Sequence, residues 1–114
     1  MLSEKSHLSE SEQSINVGNL AIDLSCRSTV LGERRIDLTD AEFEVLWYLA
    51  QNAGRAVSRD ELHNAVLGTV WDGLDRCIDL RVSRLRRKLG DDGRNPRLIK
   101  SVRYEGYLLA PDIS

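Results

Sequence analysis

Thirteen of the sixteen basic side chains are arginines, and they are unevenly placed. Residues 74–107 hold ten basic groups (Arg76, Arg81, Arg84, Arg86, Arg87, Lys88, Arg94, Arg97, Lys100, Arg103) against five acidic ones, a local charge of +5. Residues 1–73 carry six basic and twelve acidic groups, a charge of −6, so the overall −2 conceals a polarised chain. Arginine's planar fork matches phosphate oxygens and the guanine edge, so the chemistry on offer is anion and base recognition. Catalysis has no comparable signature. His7 and His63 lack ligands at metal spacing, and no glycine-rich phosphate loop occurs. Cys26 and Cys77 lie 51 positions apart without a CxxC pair. No nucleophile, base and orienting group come together. We therefore expect no enzyme activity, no metal and no cofactor.

The stretch 75–89 reads as a helix, with Asp72 or Asp75 as its cap and Gly90 as its stop. Ile78, Val82, Leu85 and Leu89 form one apolar stripe for a core. Arg76, Leu80, Ser83, Arg84 and Arg87 fall on the opposite side, within about 100° of arc at 100° per residue. Arg81, Arg86 and Lys88 lie on the flanks. Arginines crowded on one face repel each other unless an anion is near, and Leu80 among them is apolar where water should be. A major groove answers both demands, with a thymine methyl for the leucine and phosphates for the flanking cations. A solvated basic face is the bland alternative. The small Cys77 beside this face reads as a packing residue.

That helix needs elements to position it. Residues 15–38 alternate with period two, as in Leu20, Ile22 and Leu24, and predict a small antiparallel sheet with turns at Gly18-Asn19 and Leu31-Gly32-Glu33. Thr39-Asp40-Ala41-Glu42 is a capping box opening a helix through Trp47, a core residue, with Gly54 at its C′ position. Ser58-Arg59-Asp60-Glu61 repeats the box for a shorter helix that ends at Gly68, carrying His63 on its surface or half-buried. Arg55-Ala56-Val57 is the connector, with room for one extended pair. Asp91 to Pro96 reads as a solvated turn. Residues 98–109 form a hairpin with Arg103 at its tip and Lys100 and Ser101 just before it, placed for a minor groove or its phosphates. The expected fold is α+β: a winged helix-turn-helix with an N-terminal antiparallel sheet, three helices and a C-terminal β-hairpin wing.

Residues 1–14 hold five serines and three glutamates and read as a disordered tail or linker; 15–110 make the one domain and 111–114 a short tail. The longest apolar run, Val45 to Ala50, cannot span a bilayer, and the start lacks a secretory signal, so a cytoplasmic protein with reduced thiols and no membrane partner is expected.

The run from Asp75 to Leu89, the run from Ile99 to Tyr107, and Leu38-Thr39-Asp40-Ala41-Glu42-Phe43-Glu44-Val45-Leu46 closely resemble the C-terminal effector domain of OmpR/PhoB-type response regulators, across about residues 15–110. The resemblance implies a bacterial transcription factor of a two-component system. It would bind double-stranded DNA at tandem direct repeats as a head-to-tail homodimer, with helix 75–89 in the major groove and wing 98–109 at the minor groove. Family contact positions match Arg76, Leu80, Arg81, Ser83, Arg84 and Arg86 in the helix and Ser101 and Arg103 in the wing. Arg87, Lys88 and Lys100 join them on charge and position. In some members the loop before the third helix touches RNA polymerase; here that loop offers Thr69, Val70, Trp71 and Asp72, with Trp71 equally readable as a lid on the core. The receiver domain that accompanies such effectors is missing from this chain, so the tail is expected to be part of an interdomain linker. The other function class is a winged-helix interaction module that docks an acidic protein partner.

Overall fold

Alternation of apolar and polar residues turns one face of four short strands inward: β1 (Ser14–Val17), β2 (Leu20–Asp23), β3 (Ser28–Leu31) and β4 (Arg34–Ile36). The computed structural model describes residues 13–94 and 96–111. The four strands pair in sequence order, all antiparallel, and Ile15, Ile22, Thr29 and Ile36 lie side by side across them. Strand β1 begins at Ser14, inside the expected tail; residues 1–12 and 112–114, assigned there to the tails, lie outside the described part.

Helix α1 (Asp40–Gln51) starts as the capping box predicts. Thr39 Oγ1 accepts the Glu42 N–H and Glu42 Oε1 accepts the Thr39 N–H. Its end differs from expectation. Asn52 is the C-cap, its side-chain amide donating to the Tyr48 carbonyl, while the Gly54 N–H is drawn off to the Leu109 carbonyl at 2.9 Å. Helix α2 (Arg59–Leu67) keeps only half of its box. Ser58 Oγ accepts the Glu61 N–H, but the Glu61 carboxylate is engaged by Tyr48 and Arg55 instead. Helix α3 spans Cys77–Leu89 and ends at Gly90, in the left-handed conformation. It starts two residues later than expected, at the amide that the Asp75 carboxylate accepts, while Asp72 spends its own carboxylate on the loop. Asp72 Oδ1 takes the Leu74 and Asp75 N–H groups, and Asp75 Oδ1 takes that of Cys77. Arg76 is left as an N-cap without a side-chain bond.

The extended pair in the connector is β5 (Val57–Ser58). It joins the hairpin of β6 (Ile99–Val102) and β7 (Gly106–Leu109) in a second sheet ordered β5-β7-β6. Gly106 is obligatory there: its φ is 151°, and a Cβ would lie 2.0 Å from the Val57 carbonyl oxygen. The core lies between the four-stranded sheet, the three helices and the base of the hairpin. Phe43, Leu46 and Leu49 of α1, Leu62 of α2, Ile78, Val82, Leu85 and Leu89 of α3, and Ile99 and Leu109 of the hairpin are all buried in it. Trp47, expected in the core, is half-buried at its edge, its ring stacked with Phe43. The architecture is the expected winged helix-turn-helix. No helix among the described residues is long and apolar enough to cross a membrane.

Candidate nucleic-acid interface

The apolar stripe of α3 fixes its roll. With Ile78, Val82, Leu85 and Leu89 in the core, Arg76, Leu80, Ser83, Arg84 and Arg87 are all exposed on one side. Leu80 is 54% exposed, a large apolar side chain held in water among cations. Arg84 and Arg87 meet no carboxylate among the described residues. Arg84 and Arg87 are therefore unneutralised guanidinium groups beside Leu80, while Arg76 shares the field of Asp79; such a face draws anions, and the attraction weakens with salt.

The flanking cations have a different occupation. Arg86, expected as an outward cation, is half-buried and reaches sideways: Nε and Nη2 donate to the Ile99 carbonyl at 3.0 and 2.7 Å, and Nη2 donates to Ser101 Oγ at 2.9 Å. It ties the wing to α3. Lys88 donates through Nζ to Glu42 Oε1 at 2.7 Å and ties the last turn of α3 to the first turn of α1. Burial pushes the Glu42 carboxyl up, but the Lys88 ammonium and the Thr39 bonds outweigh it and hold the acid below its ordinary range. Arg81 is half-buried, and its Nη1 is buried without a hydrogen-bond partner among the described residues. Arg34 of β4 donates to the Leu89 carbonyl at 3.1 Å, satisfying one of the orphan acceptors at the end of α3.

Behind the exposed face lies a buttress absent from the sequence reading. Asp79, on the first turn of α3, accepts from Arg59 Nε at 2.8 Å and from the Tyr107 hydroxyl. The Tyr107 ring is flanked by the guanidinium groups of Arg59 and Arg86, 5.0 and 5.6 Å from its centroid. Three elements, α2, α3 and β7, are thereby locked around one aromatic ring. Burial again raises the Asp79 acid, and the Tyr107 and Arg59 bonds overcome it, leaving it below the usual carboxylate range. Arg59 and Asp79 stand 20 positions apart with no periodic signal linking them, so only the fold could reveal the pair.

The wing presents Lys100, Ser101 and Arg103, all exposed. Its tip carries Tyr104, 91% exposed at φ 65°, with the Arg103 guanidinium 5.1 Å from its ring centroid. A bulky residue in the left-handed region is a strained choice for a turn. Asp91, expected to solvate a turn, instead accepts the N–H groups of Arg97, Leu98 and Ile99 at 2.7, 3.2 and 3.0 Å and sets the entry to the wing.

The loop from Gly68 to Arg76 exposes Thr69, Asp72, Val70 (80%) and Leu74 (83%). Trp71 is half-buried, its indole N–H donating to the Asp75 carbonyl at 2.8 Å. His63, expected at or near the surface, is buried beneath this loop, because both ring nitrogens find partners in it.

The sequence profile described as "Transcriptional regulatory protein, C terminal" matches residues 32–109. The transcriptional regulatory protein RstA of Escherichia coli K12 is 44% identical over 99 residues, which are 87% of this chain and 41% of that protein. The chain thus spans less than half the length of this relative. Among solved structures, the RstA DNA-binding domain of Klebsiella pneumoniae in complex with the RstA box superposes with a TM-score of 0.83 at 43% identity, covering 87% of this chain and 98% of that one. The DNA-binding domain of CpxR from E. coli gives 0.76 at 33% identity, covering 89% and 98%.

Proposed function

The chain belongs to the family of C-terminal domains of transcriptional regulatory proteins, of the OmpR/PhoB response-regulator type, and from that premise we propose that it reads double-stranded DNA by sequence. The family is one of transcription regulators and not known for catalysis. In our reading α3 lies in a major groove. Arg76 and Arg84 address base edges or the adjoining phosphates, Leu80 meets a thymine methyl, and Ser83 and Arg87 complete the contact. Arg81, Arg86 and Lys88 are assigned to phosphates at the flanks. For Arg86 and Lys88 this contact is secondary to the bonds they already make within the protein. Arg103 enters or borders the minor groove, with Lys100 and Ser101 at the neighbouring backbone.

The observation that carries the reading is the exposed side of α3, where unpaired arginines surround a water-exposed leucine. A protein surface for an acidic partner would use the cations but has no need of Leu80 at their centre. The K. pneumoniae relative was solved with DNA on its own DNA-binding domain, which supports the same assignment here. We extend the proposal to head-to-tail dimers on tandem direct repeats, to work in the cytoplasm, and to contact with RNA polymerase through Thr69, Val70, Trp71 and Asp72. A receiver domain preceding this segment in the whole protein would supply the regulation. The test is a salt titration of duplex binding. Log affinity should fall linearly with log salt, at about −0.9 per phosphate neutralised. An affinity unmoved between low and moderate salt would contradict it.

A further inference from the structure

His63 is one of three buried polar residues among those described, and its two ring nitrogens face two acceptors. Nδ1 lies 2.9 Å from the Thr69 carbonyl oxygen, and Nε2 lies 3.2 Å from Asp75 Oδ2. A neutral imidazole carries one N–H and one lone pair. With the proton on Nδ1, the lone pair of Nε2 confronts a carboxylate. With it on Nε2, the lone pair of Nδ1 confronts the carbonyl, relieved only by the Thr69 hydroxyl at 3.4 Å. The imidazolium alone satisfies both sides.

The surrounding charges agree. Asp75 is in contact with the ring, and Asp72 of the same loop adds a second negative charge. The acid on α3 nearest the loop, Asp79, is turned to Arg59 and Tyr107, and Arg59, one turn before His63 on α2, is occupied with it. Arg76 at the start of α3 is exposed. Asp75 transmits the arrangement onward. One oxygen faces His63, the other accepts the Cys77 N–H that opens α3, at 2.9 Å, and its carbonyl accepts the Trp71 indole N–H.

We propose that His63 is a positioning residue for the DNA-reading surface: as an imidazolium, its two N–H bonds close the loop over 69–76 and fix where α3 begins. The inference rests on the proposed function for its purpose but not for its test. The sign follows from linkage. The Thr69 carbonyl and the Asp75 carboxylate raise the proton affinity of His63 above its ordinary value of 6.5, against the opposing effect of burial. The imidazolium's contribution to closure is therefore full below 6.5 and is lost as pH rises through the raised value, the closed-to-open ratio falling by up to about tenfold per pH unit in between.

The experiment is nitrogen-15 NMR on this chain without DNA, following the ring nitrogens of His63 and the hydrogen-exchange protection of the Cys77 amide from about pH 5.5 to 9, the span in which histidines titrate. We expect both ring nitrogens to carry protons while the loop is closed, and Cys77 protection, corrected for intrinsic exchange, to fall as the ring titrates. Asp75→Asn places an amide donor against Nε2 and keeps the acceptor for Cys77, so a neutral ring suffices and the fall in protection with rising pH should disappear. His63→Gln should lower protection below 6.5, where the wild-type ring is charged, and make it independent of pH. A singly protonated ring beneath a closed loop, or the same pH dependence in the wild type and Asp75→Asn, overturns the proposal. Failure of the DNA reading would appear in the salt titration, which shares no measurement with this one.

Discussion

Tyr107 is the hub between the wing and α3, and Tyr107→Phe isolates one atom of it. The ring is 5% exposed, so phenylalanine keeps the packing and both guanidinium stacks and deletes only the hydroxyl, which donates to Asp79 and accepts a long 3.5 Å bond from Arg59 Nη2. A hydrogen bond to a charged group contributes about 1.5–3 kcal/mol net. Asp79 retains Arg59 and a side chain 22% exposed, so water can replace part of the loss. The expected cost is therefore near the lower end, about 1.5 kcal/mol, or a fall in Tm of very roughly 6–12 °C for a domain of this size. Urea unfolding should show the midpoint falling at constant slope. The decisive form is a double-mutant cycle with Asp79→Ala. If the hydroxyl acts through Asp79, the two losses should overlap by about 1 kcal/mol or more. Additivity within about 0.5 kcal/mol would refute the buttress as drawn.

Gly106→Ala should destabilise by about 3 kcal/mol or more, since φ is 151° and the new Cβ would meet the Val57 carbonyl oxygen; a thermal melt reads it directly. Lys88→Met should cost about 1–2 kcal/mol near neutral pH by stripping the buried Glu42 carboxylate of its cation. Because the folded protein holds Glu42 below its ordinary 4.5, that benefit is full above 4.5 and lost as pH falls through the lowered value, so denaturation curves of variant and wild type should converge in acid. Arg103→Ala should weaken duplex binding while leaving the preferred sequence intact, measured by competition between duplexes; an unchanged affinity would remove the wing from the interface.

Local rules carried most of the fold. The period-two stretch announced a small antiparallel sheet, though not its four strands, and Thr39-Glu42 marked the start of α1 to the residue, because strands and caps are written in neighbouring positions. The same reasoning overreached where a side chain had a better distant partner. Glu61 left its box for Tyr48 and Arg55. The exposed face of α3 was legible because a helix wheel needs only the sequence and one buried stripe. The occupations of Arg86 and Lys88 were not, since a charge count cannot tell a cation aimed at solvent from one whose partner is brought near by tertiary folding. His63, Asp79 and Asp91 were underestimated for the same reason: their partners come from other elements or from loop backbone.

The central claim is that the exposed side of α3 selects a DNA sequence, and selection of bound duplexes from a random pool, run in parallel with wild type and Arg84→Ala, tests it most directly. The account predicts a motif repeated in tandem for the wild type. For the variant it predicts the same motif relaxed at one base position, with about 1–3 kcal/mol lost against the preferred duplex. A wild-type pool that emerges without enrichment, or a variant whose motif and affinity are identical to those of the wild type, would contradict it.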